Sequence, residues 1–233
     1  MSKRKILSLP IDPYGTIIGS SIILFWTISL LYLLNWNLSF SNPLTYLMVL
    51  IQTHLYTGLF ITAHDSMHGT VSKNMKLNKF LGWITSLLFA YNFYNFLFEK
   101  HHEHHKHVAS EKDPDYHESV KLGIWYWNFI KRYTNLKQLI LMGTTLTVLS
   151  FIFPIENILL FWMFPSVLAT FQLFYFGTYI PHKNGHEHHD NKHKATTQKK
   201  NHLVAFLTCY FFGYHYEHHD APGVPWWRLW KMK

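Results

Sequence analysis

Three histidine clusters carry the chemistry most visible in this sequence: HDSMH at 64–68, HHEHH at 101–105 and HYEHH at 215–219. Reduced to pattern they read HxxxH, HxxHH and HxxHH. Residues three and four apart share one face of an α-helix. His64 therefore pairs with His68, and His101, His104 and His105 share a face, as do His215, His218 and His219. Imidazole is a ligand type for iron, copper, zinc and nickel. One metal takes roughly four to six ligands, so these eight nitrogens point to two metals.

The elements that must position the clusters are apolar. Charged residues make up 15% of the 233, against about 25% in typical soluble chains. A mean hydropathy of −0.02 does not decide the class, because eighteen histidines and polar connectors pull it down. The spacing of charge does. No Asp, Glu, Lys or Arg occurs from Pro13 to His64, Phe80 to Phe98, Gln138 to Ile155, Asn157 to His182, or Leu203 to Tyr216. A bilayer core about 30 Å thick needs roughly 20 helical residues, and several of these gaps are long enough. Length favours one domain over residues 1–233. A membrane protein with a dinuclear histidine site is most simply an oxygen-activating iron enzyme.

The runs from Tyr14 to Trp36 and from Leu44 to Ala63 read as an antiparallel pair of spans. Lys3, Arg4 and Lys5 place the N-terminus in the cytoplasm and read as a tail, not a removed signal peptide. Two crossings then bring His64 and His68 to the cytoplasmic mouth. If all clusters serve one site, every intervening segment crosses an even number of times. Phe80 to Phe98 is then an interfacial or re-entrant segment, since one crossing would strand the first cluster. Gln138 to Ile155 and Asn157 to Ile180, broken by Pro154 and Glu156, form a hairpin that returns His182 to the same face. Leu203 to Tyr216 is too short to span. The expected fold is an all-α integral membrane protein of about four transmembrane helices. Interfacial helices and a cytoplasmic histidine-rich cap holding a di-iron site complete it.

His182 joins the expected ligands because parity places it at the same mouth and two metals need more donors than eight. His186, His188, His189, His193 and His202 lie in a polar connector, Lys183 to Asn201 and just beyond, and are expected to face solvent. His102, His107 and His117 break the ligand spacing, and His54 lies inside a span. Metal-bound imidazoles donate their other N–H to a carboxylate or carbonyl. Asp65, Asp113, Asp115 and Glu217 are candidates for that role. The lone Cys209 excludes an internal disulfide and an all-thiolate iron–sulfur cluster. The net charge of +8 is spread through connectors without a basic aromatic face, which excludes nucleic-acid binding and fits contact with anionic lipid.

The clusters as a set resemble the membrane fatty acid desaturase and hydroxylase superfamily. The surrounding words are more specific. LYTGLFITAHDSMHGTV at 55–71, KHHEHHKHVASEKDPDYH at 100–117, FGTYIPH at 176–182 and FFGYHYEHHDAPGVPWWRL at 211–229 are similar to the bacterial β-carotene ketolase family. That resemblance implies that His64, His68, His101, His104, His105, His182, His215, His218 and His219 bind two iron ions. It also implies O2-dependent conversion of the C4 methylene of a β-ionone ring to a ketone, by two hydroxylations at one carbon and loss of water. Echinenone, canthaxanthin or astaxanthin would be the products, and electrons would come from an external ferredoxin-like donor. The carotenoid would enter from the bilayer, with Trp83, Phe93, Tyr94, Phe174, Tyr175, Trp226 and Trp227 as guiding aromatics. Two other readings use the same residues: a fatty acyl desaturase or hydroxylase, and a divalent-metal transport or storage protein. The latter would place its ligands near the bilayer midplane. Here the clusters lie at span ends.

Overall fold

A computed structural model describes residues 13–183 and 191–233, and among these every regular element is helical. Expectations resting on Lys3, Arg4 and Lys5, and on His186, His188 and His189, lie outside the described residues. Three helices are long and apolar enough to cross a membrane: α1 (Tyr14–Leu34), α2 (Pro43–Met67) and α7 (Ile155–His182). The Asn42 side chain accepts the Leu44 N–H and Pro43 takes the first helical position, so the chain turns from α1 straight into α2.

Two apolar runs fold differently from an uninterrupted span. The fourth expected span is the 15-residue helix α6 (Leu136–Ser150), about 22 Å long and shorter than a hydrocarbon core of about 30 Å. It ends in a turn before Pro154, which starts α7. The run from Phe80 to Phe98 is split between α3 (Met75–Leu88) and α4 (Tyr94–His107). Ala90 and Tyr91 both take positive φ in the intervening turn, a conformation that side chains with a Cβ adopt only under constraint. No single helix carries this run across.

Helix ends sort into two levels. At one level Thr16 of α1 donates to the carbonyl of Val71, just past α2, and Gln138 of α6 donates to the carbonyl of Ala90. At the other, the buried Asn157 amide at the start of α7 donates to the carbonyls of Leu33 and Trp36 at the end of α1. α1, α2, α6 and α7 thus run alternately between a far end and the end that bears the histidines. Trp26, Tyr56, Leu59, Ile61, Phe89, Ile158 and Leu173 form the core between them. α4, α5 (Leu122–Tyr133), α8 (His202–Cys209), α9 (His215–Asp220) and α10 (Trp226–Leu229) build the cap.

α2 and α3 approach so closely at Gly82 that a Cβ there would overlap the Ser66 hydroxyl and the Tyr94 ring. The buried Asn78 locks the same joint. Its Nδ2 donates to the Ser66 carbonyl (2.7 Å) and its Oδ1 accepts from Val71 N (3.1 Å) and Ser72 N (3.2 Å). Asn78→Leu is expected to lower the thermal stability of the detergent-solubilised protein, at about 1–3 kcal/mol for each polar group left buried and unpaired. Asn74→Ala, which removes only the exposed cap of α3, should cost about 1 kcal/mol. Equal midpoints for the two variants would show that Asn78 does not hold the joint.

Candidate metal centre

α2 delivers His64 and His68 at its last turn, α4 delivers His101, His104 and His105, α7 ends on His182, and α9 presents His215, His218 and His219. The structure brings all nine together, in two groups. His64, His68, His101, His105 and His218 have one ring nitrogen each within 4.8 Å of one another, and so do His104, His182, His215 and His219. His104 and His105 are neighbours in sequence yet serve different groups, and so are His218 and His219.

The rings meet nitrogen to nitrogen. Nε2 of His64 lies 3.2 Å from Nε2 of His218, which lies 3.1 Å from that of His105, and His68 and His101 are 2.7 Å apart. In the second group the spacings are 3.0 Å for His182–His215, 2.9 Å for His215–His219 and 3.1 Å for His104–His219. On three of the rings the opposite nitrogen is already engaged, whereas His215 Nδ1 is buried without a partner. His64 Nδ1 meets Asp65 Oδ1 at 3.0 Å, His104 Nδ1 meets Asp113 Oδ1 at 2.9 Å, and His182 Nδ1 meets the Lys194 carbonyl at 2.9 Å. A neutral imidazole with its proton on Nδ1 has only a lone pair at Nε2. Lone pairs converging at these distances repel unless a cation lies among them. Imidazole–metal bonds of about 2.0–2.1 Å at right angles put adjacent nitrogens about 3 Å apart, which matches the spacings observed. The residues present therefore fit one divalent transition metal in each group.

Burial keeps the rings in the ligand-competent form. It pushes His68 down to about 4 and His105 to about 2, and holds His101, His215, His218 and His219 far below the usual imidazole range, with neighbouring rings adding to the effect. His104 is the exception. Burial lowers it, but the carboxylates of Asp115 and Asp113 outweigh that and raise it. Asp113 is fixed in turn by Ala109 N and Asp115 N, both donating at 2.8 Å.

Three of the four expected supporting carboxylates touch this network. Asp65 links His64 to the C-terminal segment, its Oδ2 accepting Trp226 N at 2.8 Å. Asp115 lies 3.8 Å from His104 and accepts from the Tyr133 hydroxyl and from Thr178 Oγ1 at 3.2 Å. Glu217 is a correction: two residues from both His215 and His219, it lies on the face of α9 opposite theirs. It accepts instead from Thr197 Oγ1 (2.6 Å) and Lys233 Nζ (3.3 Å). His193 and His202 are also corrected. Both are half-buried, one against Asp220 and the His219 ring, the other against the Tyr214 hydroxyl. The connector from 191 to 201 packs on the cap, with Thr196 N on the Pro181 carbonyl and Gln198 N on the Gly213 carbonyl. His54 stacks on Tyr210 inside the bundle, away from both groups. Lys194, which supplies the carbonyl for His182, has φ 42°, and no local sequence signal announces it.

Beside the histidines opens a cavity of about 500 Å³ with a mainly apolar wall. His64, His101, His104 and His215 face it from one side, and Phe60, Leu97, Phe129, Met163, Leu173 and Phe212 from others. A π-helical turn within α7, Tyr175–Tyr179, brings Gly177 and Thr178 to its wall, and a Cβ at Gly177 would collide with Phe212. Such turns are frequent at functional sites. None of the seven aromatics expected to guide a substrate lines it. Trp83 is exposed on α3, Phe93 precedes α4, and Tyr94 packs under α2 beside the Ser66 hydroxyl. Phe174 backs Tyr126 and Phe129, Tyr175 stacks on Phe171 and Tyr179, Trp226 packs on Tyr210, and Trp227 lies against Gly15. α7 contributes the largest share of the wall, and the aromatic part comes in large measure from α5, through Tyr126, Trp127, Phe129 and Tyr133. α5 also clamps the Asp113–Asp115 loop, as Trp125 Nε1 donates to the Asp115 carbonyl at 2.7 Å and Arg132 to the Tyr116 carbonyl at 2.6 Å. Its aromatic residues have the spacing of an ordinary amphipathic helix, which hid this role.

Helices long and apolar enough to cross a membrane, two imidazole groups that fit metal ions and an adjoining apolar cavity make this a candidate metal centre. The family model described as fatty acid desaturase matches residues 41–153 and 126–233, and the chain belongs to that family. It is 41% identical over 185 residues to a zeaxanthin 4-ketolase of Chlamydomonas reinhardtii, covering 77% of this chain and 42% of that one. Beta-carotene 4-ketolase 3 of Haematococcus lacustris is 41% identical over 184 residues, covering 75% and 58%. A beta-carotene ketolase of Paracoccus sp. (strain N81106 / MBIC 01143) is 39% identical over 180 residues, covering 76% and 74%. The chain thus spans about half the length of the first two relatives and about three quarters of the third.

Anaerobic loading of the purified protein with ferrous iron is expected to give about two metal ions per chain, one per group. His219→Ala should lower that content, and Asp113→Asn should weaken metal affinity by about 10–100-fold, the usual cost of losing a carboxylate behind a ligating imidazole. Elemental analysis giving one ion in the unaltered protein would refute the two-group assignment.

Proposed function

We propose that this chain is a carotenoid 4-ketolase, an O2-dependent oxidoreductase that turns the C4 methylene of a β-ionone ring into a ketone. The observation that supports this most is the opening of a mainly apolar cavity directly onto His64, His101, His104 and His215. The similar proteins named above are ketolases of β-carotene or zeaxanthin, which share this ring. Two iron ions held by the nine histidines supply the oxygen-activating redox chemistry that an allylic C–H bond requires.

The chain's own groups do the remainder. Asp65, Asp113 and the Lys194 carbonyl keep a proton at Nδ1 of His64, His104 and His182, so that each Nε2 stays a donor of its lone pair. Tyr133 and Thr178 hold Asp115 in register beside His104. Phe60, Leu97, Phe129, Leu173 and Phe212 bind the ring and exclude water. The substrate arrives from lipid past α5, whose Trp127 is exposed on one side and lines the cavity on the other.

In this reading α1, α2, α6 and α7 make four crossings, the short α6 ending below the far surface, and the histidine cap faces the cytoplasm. Electrons come from an acidic ferredoxin-like carrier docking on basic residues around the cap such as Lys106 and Lys112.

Expression in a β-carotene-accumulating host should yield 4-keto pigments on extraction. His218→Ala should abolish them. His102→Ala should retain most activity, since His102 is exposed and stacks on Phe98 although it adjoins His101. Unaltered β-carotene together with new unsaturation or hydroxylation in the host's acyl chains would favour a fatty acyl substrate instead. Cysteines introduced at Lys73 and at Lys112 should both label from the cytoplasmic side. Labelling from opposite sides would overturn the topology.

A further inference from the structure

Phe212 lies where the cavity meets the histidines of both groups. Its ring centroid is 4.9 Å from that of His64 and 5.8 Å from that of His218, both of the first group. It is 5.4 Å from that of His215, of the second. The residue is only half-buried and lines the cavity, so an occupant meets it directly. Two departures from regular backbone converge on this ring. On one side the π-helical turn Tyr175–Tyr179 brings Gly177 so close that no Cβ fits. On the other, Tyr210 and Phe211 take left-handed φ of 47° and 63° in succession, a costly conformation for bulky side chains. Phe212 N then donates to the Cys209 carbonyl at 2.7 Å, and the Gly213 carbonyl accepts from Gln198 N at 2.8 Å. The ring is fixed before anything enters.

Stability does not ask for this arrangement. A ring that borders an internal space gives up contacts that a fully packed one would make, and strained backbone collects at functional sites. At the outer boundary Trp127 of α5, Leu139 of α6 and Val167 of α7 line the cavity yet are exposed on the molecular surface. A lipid that enters between these helices travels toward Phe212 and the histidines. A β-ionone ring is joined to its polyene at C6, so the opposite carbon, C3, leads. We propose that Phe212 is a specificity-determining residue, the stop against which that leading carbon rests. It brings the neighbouring C4 level with the histidines and excludes rings with bulk at C3. This rests on the ketolase reading for the identity of the ring.

The test offers full-length protein in detergent an equimolar mixture of β-carotene and an analogue carrying a phenyl group at C3 of each ring. The ratio of the two pigments retained after washing is measured. The same ratio is measured for Phe212→Ala, which opens a hollow the size of a phenyl group, and for Phe212→Leu, which opens a smaller one. A ratio within one sample is independent of how much variant folds. The unaltered protein is expected to favour β-carotene. Phe212→Ala should lower that preference by about tenfold, the scale on which overfilling a packed site is penalised, with Phe212→Leu between. An unaltered protein that retains the enlarged pigment equally well, or retains neither, overturns the proposal whether or not the variants fold. A ratio unchanged in both variants also overturns it. Because retention is read without turnover, the expected shift in a protein that forms no keto product would count against the ketolase reading and leave the stop established.

Discussion

Everything in this fold answers to one electrostatic problem, the convergence of buried imidazole lone pairs on two points. Neutral rings with Nε2 atoms about 3 Å apart repel, and no apolar packing compensates for nine of them unless cations occupy the centres. On three of the rings the other nitrogen is tied down, which orients Nε2 toward the cluster. Asp65, Asp113 and the Lys194 carbonyl do this, and each comes from a segment that needs further support. The Trp226 N–H binds Asp65, and α5 clamps the loop that carries Asp113. The connector after α7 is held by bonds to the Pro181 and Gly213 carbonyls. Loops that look disposable are the scaffold behind the converging histidines.

The same constraint shapes the membrane helices. The histidines of α2 and α7 emerge at one level, so helix lengths and joints are set from that end. Asn157 binds the far end of α1 to the start of α7, and Asn78 binds α3 under the last turn of α2. Buried amides are costly in an apolar bundle unless each donor and acceptor is met, and at these two joints carbonyls at helix termini meet the donors. The π-turn at Tyr175–Tyr179 changes the phase of α7 just before His182 and puts Gly177 and Thr178 on the cavity. A regular helix would have presented other residues.

The helical class, the apolar helices and the set of converging histidines were legible in the sequence because each depends on local periodicity. HxxxH and HxxHH define a face as soon as the segment is helical, and nine histidines selected by spacing and parity are the nine that converge. Tertiary structure decided the rest. It divided adjacent residues His104 from His105, and His218 from His219, between two centres, because two rings on one short helix face diverge enough to reach different neighbours. It turned Glu217 away, an outcome the helical phase of HYEHH already contained. It half-buried His193 and His202, in and just beyond a connector whose composition is that of a solvated loop. And it drew the cavity wall from α7 and α5 in place of the aromatics nearest the histidine motifs. Which side of a helix borders an internal space depends on the helices packed around it, and no periodicity within one segment encodes that.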